Sequence, residues 1–380
     1  MIDKKKSVVF LFINGPYHVY HLILPALKYS SISNNTKTII ISGNPTNTKI
    51  INEAKILTGI TQFNLIDIPV PFRYRFKNYK KKLFPPVYTR IKKVIGILKN
   101  ASAIISTSHE LPKHLDTYKI KTPTLFYLYH GTGTREYGFE NKLKDFDYIL
   151  APGNYHKERL KKALLLTDEK INIVGTPKSD WIKLKKIKKN NLFNNESPIF
   201  YYVPHWDINI SSYLKWRKII LNYFLDNNQY NLIFAPHPLI KHLSRKEGYK
   251  IETNLKGANN IIIDHGGENS INGTYSALAD IYIGDVSSMI TEWILQKPRP
   301  CIFINAHQIR WKNNDDYYMW TFGNVISDFN DFEKIIKRSI HINDHEKIQK
   351  KLRDEFVQNN TKPSSDLCAE FIAKKINSIE

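Results

Sequence analysis

Short apolar runs separated by segments of helical pattern recur from one end of this chain to the other, and that alternation limits the fold more than any other feature. Val8 to Ile13, Thr38 to Ser42, Ala103 to Ser106, Thr124 to Tyr129, Tyr148 to Ala151 and Ile171 to Val174 read as strands. A second series, Ile199 to Val203, Asn231 to Ala235, Ile261 to Asp264, Ile281 to Gly284 and Cys301 to Ile304, is interleaved with helical segments near 211–225, 286–295 and 332–339. Such an alternation of strands with helices predicts parallel sheets covered by helices. The expected class is α/β, with two Rossmann-like doubly wound domains facing a central cleft. Between the two series lies a polar, basic stretch from Lys183 to Pro198, which reads as a boundary. The expected division is 1–182, a linker at 183–198, a second domain at 199–362, and a C-terminal helix at 363–380.

At 380 residues the chain can bury two cores, and 42% hydrophobic content with 22 Tyr and 19 Phe excludes broad disorder. No apolar run approaches the roughly 18 residues of a membrane span, and Met1 to Lys6 leads straight into a strand without a cleavage pattern, so a cytoplasmic location is expected. Cys301 and Cys368 alone support neither a disulfide framework nor a zinc site. The net charge of +21 points to an anionic partner. Its densest part is Arg73, Arg75, Lys77, Lys80, Lys81 and Lys82 among Phe72, Tyr74, Phe76, Tyr79 and Phe84. Cations beside aromatics suit an anionic membrane surface, while a solvated basic loop fits the same residues. Nucleic acid is not expected, because no RNP, zinc-finger or helix-turn-helix signature accompanies the charge.

The most pointed segment runs from Ala279 to Glu292, where a short strand enters a turn whose two hydroxyls, Ser287 and Ser288, open a helix. The first N–H groups of a helix carry partial positive charge and lack partners within it, so these serines can hold a phosphate. An ordinary helix cap fits the same residues. Asp285 and Glu292 are candidates for nucleotide and ribose contacts, a surface acid being the alternative for Glu292. Three more clusters each follow a strand. Tyr129-His130-Gly131-Thr132-Gly133-Thr134-Arg135 offers an imidazole beside glycine-rich backbone, with Thr132 and Arg135 as phosphate donors. In Gly175-Thr176-Pro177-Lys178-Ser179-Asp180, glycine and proline suit a turn and Lys178 is the candidate cation. Phe234-Ala235-Pro236-His237-Pro238 holds His237 between two rings, which suits an acid, a base or a phosphate ligand and equally suits a plain turn. Asn14-Gly15-Pro16-Tyr17-His18 stands where an acceptor or phosphate loop is expected, but without G-x-G-x-x-G; P-loop, nucleophile-elbow and zincin motifs are missing from the sequence.

Taken in order, His130-Gly131-Thr132, Gly175 to Asp180, Tyr202-Val203-Pro204, His237-Pro238, and Asp285-Val286-Ser287-Ser288 with Glu292 resemble the CDP-glycerol glycerophosphotransferase family, the teichoic-acid primases and polymerases. The resemblance spans roughly Leu125 to Asn305. It implies a GT-B-like fold with an acceptor- and membrane-facing N-terminal domain and a nucleotide-donor C-terminal domain. It further implies a peripheral position on the inner face of the cell membrane. The implied reaction moves glycerol or ribitol phosphate from a CDP-activated donor to a lipid-linked or glycan acceptor, in the synthesis of a surface polymer such as teichoic acid or capsule. By the resemblance, His130 and His237 are the essential histidines, and Ser287 and Ser288 hold the donor pyrophosphate. The chain departs from the family where His-Gly-Thr-Pro-Leu-Lys becomes His130 to Arg135, and where His-Pro-His becomes His237-Pro238-Leu239.

The residues support the same chemistry independently. Attack of an acceptor hydroxyl on the β-phosphorus with loss of CMP needs a base, positive charge on the phosphoryl oxygens, and alignment. His130 is the candidate base; His237, Lys178, Arg135 and the Ser287/Ser288 helix end are candidates for neutralising charge. No Asp-x-Asp cluster follows a strand, so neither a metal nor a cofactor is expected beyond the CDP-activated donor. A GT-B glycosyltransferase using a UDP- or CMP-sugar needs much the same residues. A nucleotide-sugar epimerase or a non-enzymatic protein binding polyanions or membranes are further readings.

Overall fold

The computed structural model describes residues 6–69, 72, 87–133, 136–186, 188–189, 192–240, 255, 258–287, 289–356 and 362–378. The chain divides into two compact units, one comprising Met1–Thr132, Phe139–Leu184 and Glu355–Glu380, the other Gly133–Gly138 and Lys185–Asp354.

In the first unit the strands β1 (Lys6–Phe12), β2 (Thr36–Ser42), β3 (Asn64–Asp67), β4 (Ala103–Ser106), β5 (Thr124–Leu128), β6 (Tyr148–Ala151) and β7 (Ile171–Ile173) form a parallel sheet in the order 3-2-1-4-5-6-7. The helices are α1 (Pro16–Ile32), α2 (Pro45–Thr58), α3 (Val87–Lys99), α4 (Leu111–Thr117), α5 (Asn154–Leu164) and α6 (Pro177–Lys185). Val8 to Phe12 and Ala103 to Ser106 are buried throughout, as strands covered on both faces must be. Register aligns Leu11 with Ile41 and Ser106, and Ser106 with Tyr127, so the loops after β1, β2, β4 and β5 leave the sheet at one level. Ligands of doubly wound sheets bind at that edge.

The second unit repeats the plan with β8 (Ile199–Val203), β9 (Asn231–Phe234), β10 (Ile261–Ile263), β11 (Ile281–Gly284), β12 (Cys301–Ile304) and β13 (Asn324–Ile326), parallel in the order 10-9-8-11-12-13. Its helices are α7 (Tyr213–Asp226), α8 (Glu268–Ile271), α9 (Thr274–Leu278), α10 (Met289–Gln296), α11 (Phe332–His341) and α12 (Glu346–Phe356), and α13 (Ser364–Asn377) ends the chain. Each sheet has its own apolar core, one around Val9, Leu11, Ile104 and Ile149 and the other around Phe200, Phe234, Ile283 and Ile302. No helix among the described residues is long and apolar enough to cross a membrane.

The structure divides the chain differently from the expectation at two places. From Lys185 onward the basic stretch expected as a linker belongs to the second unit: Lys189 Nζ donates to Asp280 at 2.7 and 2.8 Å, Asp280 also accepts the Ile199 N–H at 3.0 Å, and Phe193 is buried. The C-terminal helix is not separate, because α13 returns to the first unit and packs along α1, with Lys28 paired to Asp366 at 3.1 Å. The expected strands stand within a residue or two of the observed ones. β3 and β13 escaped the sequence reading because Asn64-Leu65-Ile66-Asp67 and Asn324-Val325-Ile326 each hold only two apolar residues in a row.

Candidate functional site

In the first unit four loops and helix starts converge at the C-terminal edge of the sheet. Pro16 opens α1 at its first positions, where a missing N–H costs nothing, and the helix carries His18 and His21 inward, 8% and 3% exposed. His130 follows β5, and its ring lies 4.1 Å from that of His18; the exposed Tyr17 ring lies 4.3 Å from His18 and 6.5 Å from His130. His18 Nδ1 is 3.0 Å from the Thr107 hydroxyl, just after β4, and 3.5 Å from the Asn14 amide nitrogen. With both acting as donors, Nδ1 accepts and Nε2 carries the proton.

Burial dominates the electrostatics here. It holds His130 down to about 4, helped by His109 and opposed by the Thr107 carbonyl. It holds His18 and His21 well below their ordinary value, with His130 adding to both falls. Lys178 adds to the fall of His21, which places its buried ammonium beside this cluster. These imidazoles are uncharged at neutral pH, each keeping one ring nitrogen without a proton, which is the form a general base takes. Thr132 is 1% exposed.

The Gly175 to Asp180 motif has a second task within the same unit. Gly175 adopts φ +81, and a Cβ there would come within 2.3 Å of Ser364 Oγ, so glycine permits both the turn and the approach of α13. Asp180 accepts the Ser365 N–H at 2.7 Å and its hydroxyl at 2.6 Å, which fastens the start of α13 to α6.

In the second unit the C-terminal ends of β8, β9 and β11 assemble another cluster. Asp285 is fully buried, and its Oδ2 accepts the backbone N–H of His205 at 2.8 Å and of Ser212 at 3.0 Å. Burial lifts its carboxyl to about 6, against the pull of those two N–H groups. The carboxylate thereby ties the loop after β8 to the start of α7. His205 Nδ1 accepts the Asp207 N–H at 3.0 Å, and His237 Nδ1 accepts the Leu239 N–H at 3.2 Å. Burial brings His237 down to about 4, so at neutral pH it is an uncharged ring whose proton sits on Nε2. The rings of His205 and His237 are 6.2 Å apart, and the exposed Trp206 ring is 6.5 Å from His237. Ser287 precedes α10 and caps it, its hydroxyl accepting the Met289 N–H at 3.2 Å. Glu292 lies in the first turn of α10, half-buried, near Tyr201, whose phenol is pushed up by burial first and by the neighbouring carboxylates of Glu292 and Asp264 second.

Arg135, Ser288, Arg73, Arg75, Lys77, Lys80, Lys81 and Lys82 lie outside the described residues. In the first unit His130 and Lys178 both lie close to His21, and in the second His205 donates its N–H to Asp285 while its ring lies 6.2 Å from that of His237. Sequence reasoning missed His21, His109 and His205. His21 stands one helical turn after His18, and His205 directly follows the quoted Tyr202-Val203-Pro204, so spacing and position were the available signals.

The sequence profile of the CDP-Glycerol:Poly(glycerophosphate) glycerophosphotransferase family matches residues 72–374. The chain belongs to that family. A curated relative, the teichoic acid poly(glycerol phosphate) polymerase of Staphylococcus epidermidis, is 24% identical over 186 residues, which covers 44% of this chain and 24% of the relative. The chain thus matches about a quarter of that relative's length. Among solved structures, the wall teichoic acid polymerase TagF superposes with a TM-score of 0.65 at 16% identity, covering 99% of this chain and 90% of that one. The UDP-GlcNAc 2-epimerase of Neisseria meningitidis, solved with UDP-GlcNAc, superposes at 0.56 with 12% identity, covering 98% and 100%. At these identities the likeness establishes the shared GT-B-type fold of two parallel-sheet domains.

Proposed function

We propose that this protein transfers a polyol phosphate, glycerol or ribitol phosphate, from a CDP-activated donor to a hydroxyl of a lipid-linked or glycan acceptor during synthesis of a surface polymer. The acceptor oxygen attacks the β-phosphorus, the bond from that phosphorus to the oxygen of CMP breaks, CMP leaves with the bridging oxygen, and the hydroxyl proton passes to His130. The observation that carries this reading is the pair of uncharged imidazoles, His18 on α1 and His130 after β5, with ring centres 4.1 Å apart in a chain of this family. His18 aligns the base, and Lys178, Arg135 and Thr132 draw charge from the transferring group. His237 donates from Nε2 to a phosphoryl oxygen, Ser287 and Ser288 bind the donor pyrophosphate at the start of α10, and Glu292 takes the ribose. No cofactor or metal takes part. The basic segment from Arg73 to Lys82 holds the protein to the anionic inner face of the membrane, and no nucleic acid partner is needed.

The test is to supply CDP-glycerol, CDP-ribitol, UDP-sugars and CMP-sugars with and without acceptor and to identify the released nucleotide. CMP from a CDP-polyol, released only with acceptor, is expected. Release of CDP or UDP from sugar donors would redirect the assignment to glycosyl transfer, and acceptor-free turnover of a UDP-sugar would redirect it to epimerisation.

A further inference from the structure

Arg90 is a buried cation with donors left over. It lies in the first turn of α3, 3% exposed, and neither its Nε nor its Nη1 has a hydrogen-bond partner among the described residues. Burial lowers its pKa only to about 10, so the guanidinium is charged at neutral pH. Gly43 makes room for it: a Cβ at that position would meet the Phe12 carbonyl oxygen at 2.9 Å and Arg90 Nη1 at 3.0 Å. The guanidinium therefore stands against the turn between β2 and α2, at the C-terminal ends of β1 and β2. A buried charge without a counter-ion is unfavourable, and each unpaired donor adds to that cost.

The surroundings suit an anion. Asn44, next in the chain and 2% exposed, caps α2; its Oδ1 accepts the Asn47 N–H at 2.9 Å while its Nδ2 has no partner among the described residues. The positive end of the 14-residue helix α2 begins there. A cavity of about 270 Å³ adjoins through Asn44 and is lined also by Thr48 and Asp67, whose side chains hydrogen-bond to each other. Guanidinium and amide donors beside hydroxyl-accepting oxygens match a phosphate group that carries a polyol.

We propose that Arg90, Asn44 and the start of α2 form a subsite for a phosphate group of the acceptor, with the attached polyol in the adjoining cavity. Asn47 links it to the histidine cluster: its Nδ2 donates to the carbonyls of Phe12 and Asn14, both at 3.0 Å, and the Asn14 amide reaches His18 Nδ1 at 3.5 Å. One loop, between β1 and α1, thus borders both the anion subsite and the base. Assigning the phosphate to the acceptor rests on the transferase reading; the phosphate site itself does not.

Inorganic phosphate and glycerol 3-phosphate are titrated into the full chain by calorimetry at constant ionic strength, with Arg90→Met and Arg90→Lys in parallel. Binding that Arg90→Met abolishes and Arg90→Lys weakens by about tenfold is expected, because lysine lacks the planar fork. Methionine fills the volume without the charge, so Arg90→Met should match or exceed the parent's Tm in phosphate-free buffer, where a purely structural arginine would lower it. Equal phosphate affinity in parent and variants, or no phosphate binding by the parent, overturns the site. If Arg90→Met does not fold, Arg90→Lys decides. With a phosphate-bearing acceptor, Arg90→Lys should raise the acceptor KM and leave the donor KM unchanged; should CDP-polyols prove inert, the calorimetry still stands and only the acceptor assignment fails.

Discussion

The rings of His18 and His130 lie 4.1 Å apart, centre to centre, tilted by 42°. One ring comes from the start of α1 and the other from the end of β5, so the two are held by separate elements of one rigid sheet. Protonating either is opposed by burial, which leaves both available as acceptors. Replacing His130 by Ala should lower kcat for CMP release by about 10²–10⁴-fold with little change in donor affinity, measured by quenched-flow and calorimetry. Full turnover in that variant would remove the base assignment.

The same burial makes the fold acid-sensitive. His130 and His237 titrate at about 4 when folded and near 6.5 when unfolded, so below 6.5 the unfolded chain binds more protons. Their contribution is fully present above about pH 6.5 and is lost progressively as pH falls toward 4. Each should remove on the order of 1–3 kcal/mol of stability over that window. Urea denaturation at pH 7 and pH 5 checks this, and His237→Asn should lose less stability across that range than the parent.

Asp285 has the opposite sign. Its folded pKa of about 6 lies above the unfolded value of 3.8, so the penalty for burying its charge grows as pH rises through 6. Asp285→Asn, which keeps an oxygen for the His205 and Ser212 N–H groups, should be more stable than the parent at pH 8 by about 1–3 kcal/mol and nearly equal to it at pH 4. Thermal melts at the two pH values decide. Destabilisation at pH 8 would show that the ionised carboxylate is required.

Ser287→Ala with Ser288→Ala should weaken binding of the CDP-activated donor by about 2–4 kcal/mol, from two lost charge-assisted hydrogen bonds. Ser287 already caps α10, so the variant should also lose a little Tm. Calorimetry that finds donor affinity unchanged would leave these serines with the capping role only.

Neutralising Lys80, Lys81 and Lys82 should lower association with anionic vesicles, the difference being largest at low salt, where screening is weakest. Co-sedimentation across a salt series tests it. Equal binding by variant and parent at low salt would count against the membrane assignment.

Much of the architecture was legible because the physics behind it is local. A strand buried on both faces needs a continuous apolar run, and β1, β4, β8, β11 and β12 have one. The edge strand β3, with only Leu65 and Ile66 half-buried between exposed ends, has none and gave no such signal. Arg90 shows the limit from the other side. In sequence nothing separates it from the nearby cations Lys92 and Lys93, yet it is buried against Gly43.

The sequence alone determined the alternation of strand and helix, the α/β class and the order of the family motifs, because periodicity and turn chemistry act over a few neighbouring residues. Tertiary structure decided that His18, His21, His130 and Lys178 meet at one sheet edge, and that Asp285 faces the backbone of His205 and Ser212. Parallel strands are joined by long crossovers, so the residues at their ends come together only when register brings the strands level. No local pattern records that register.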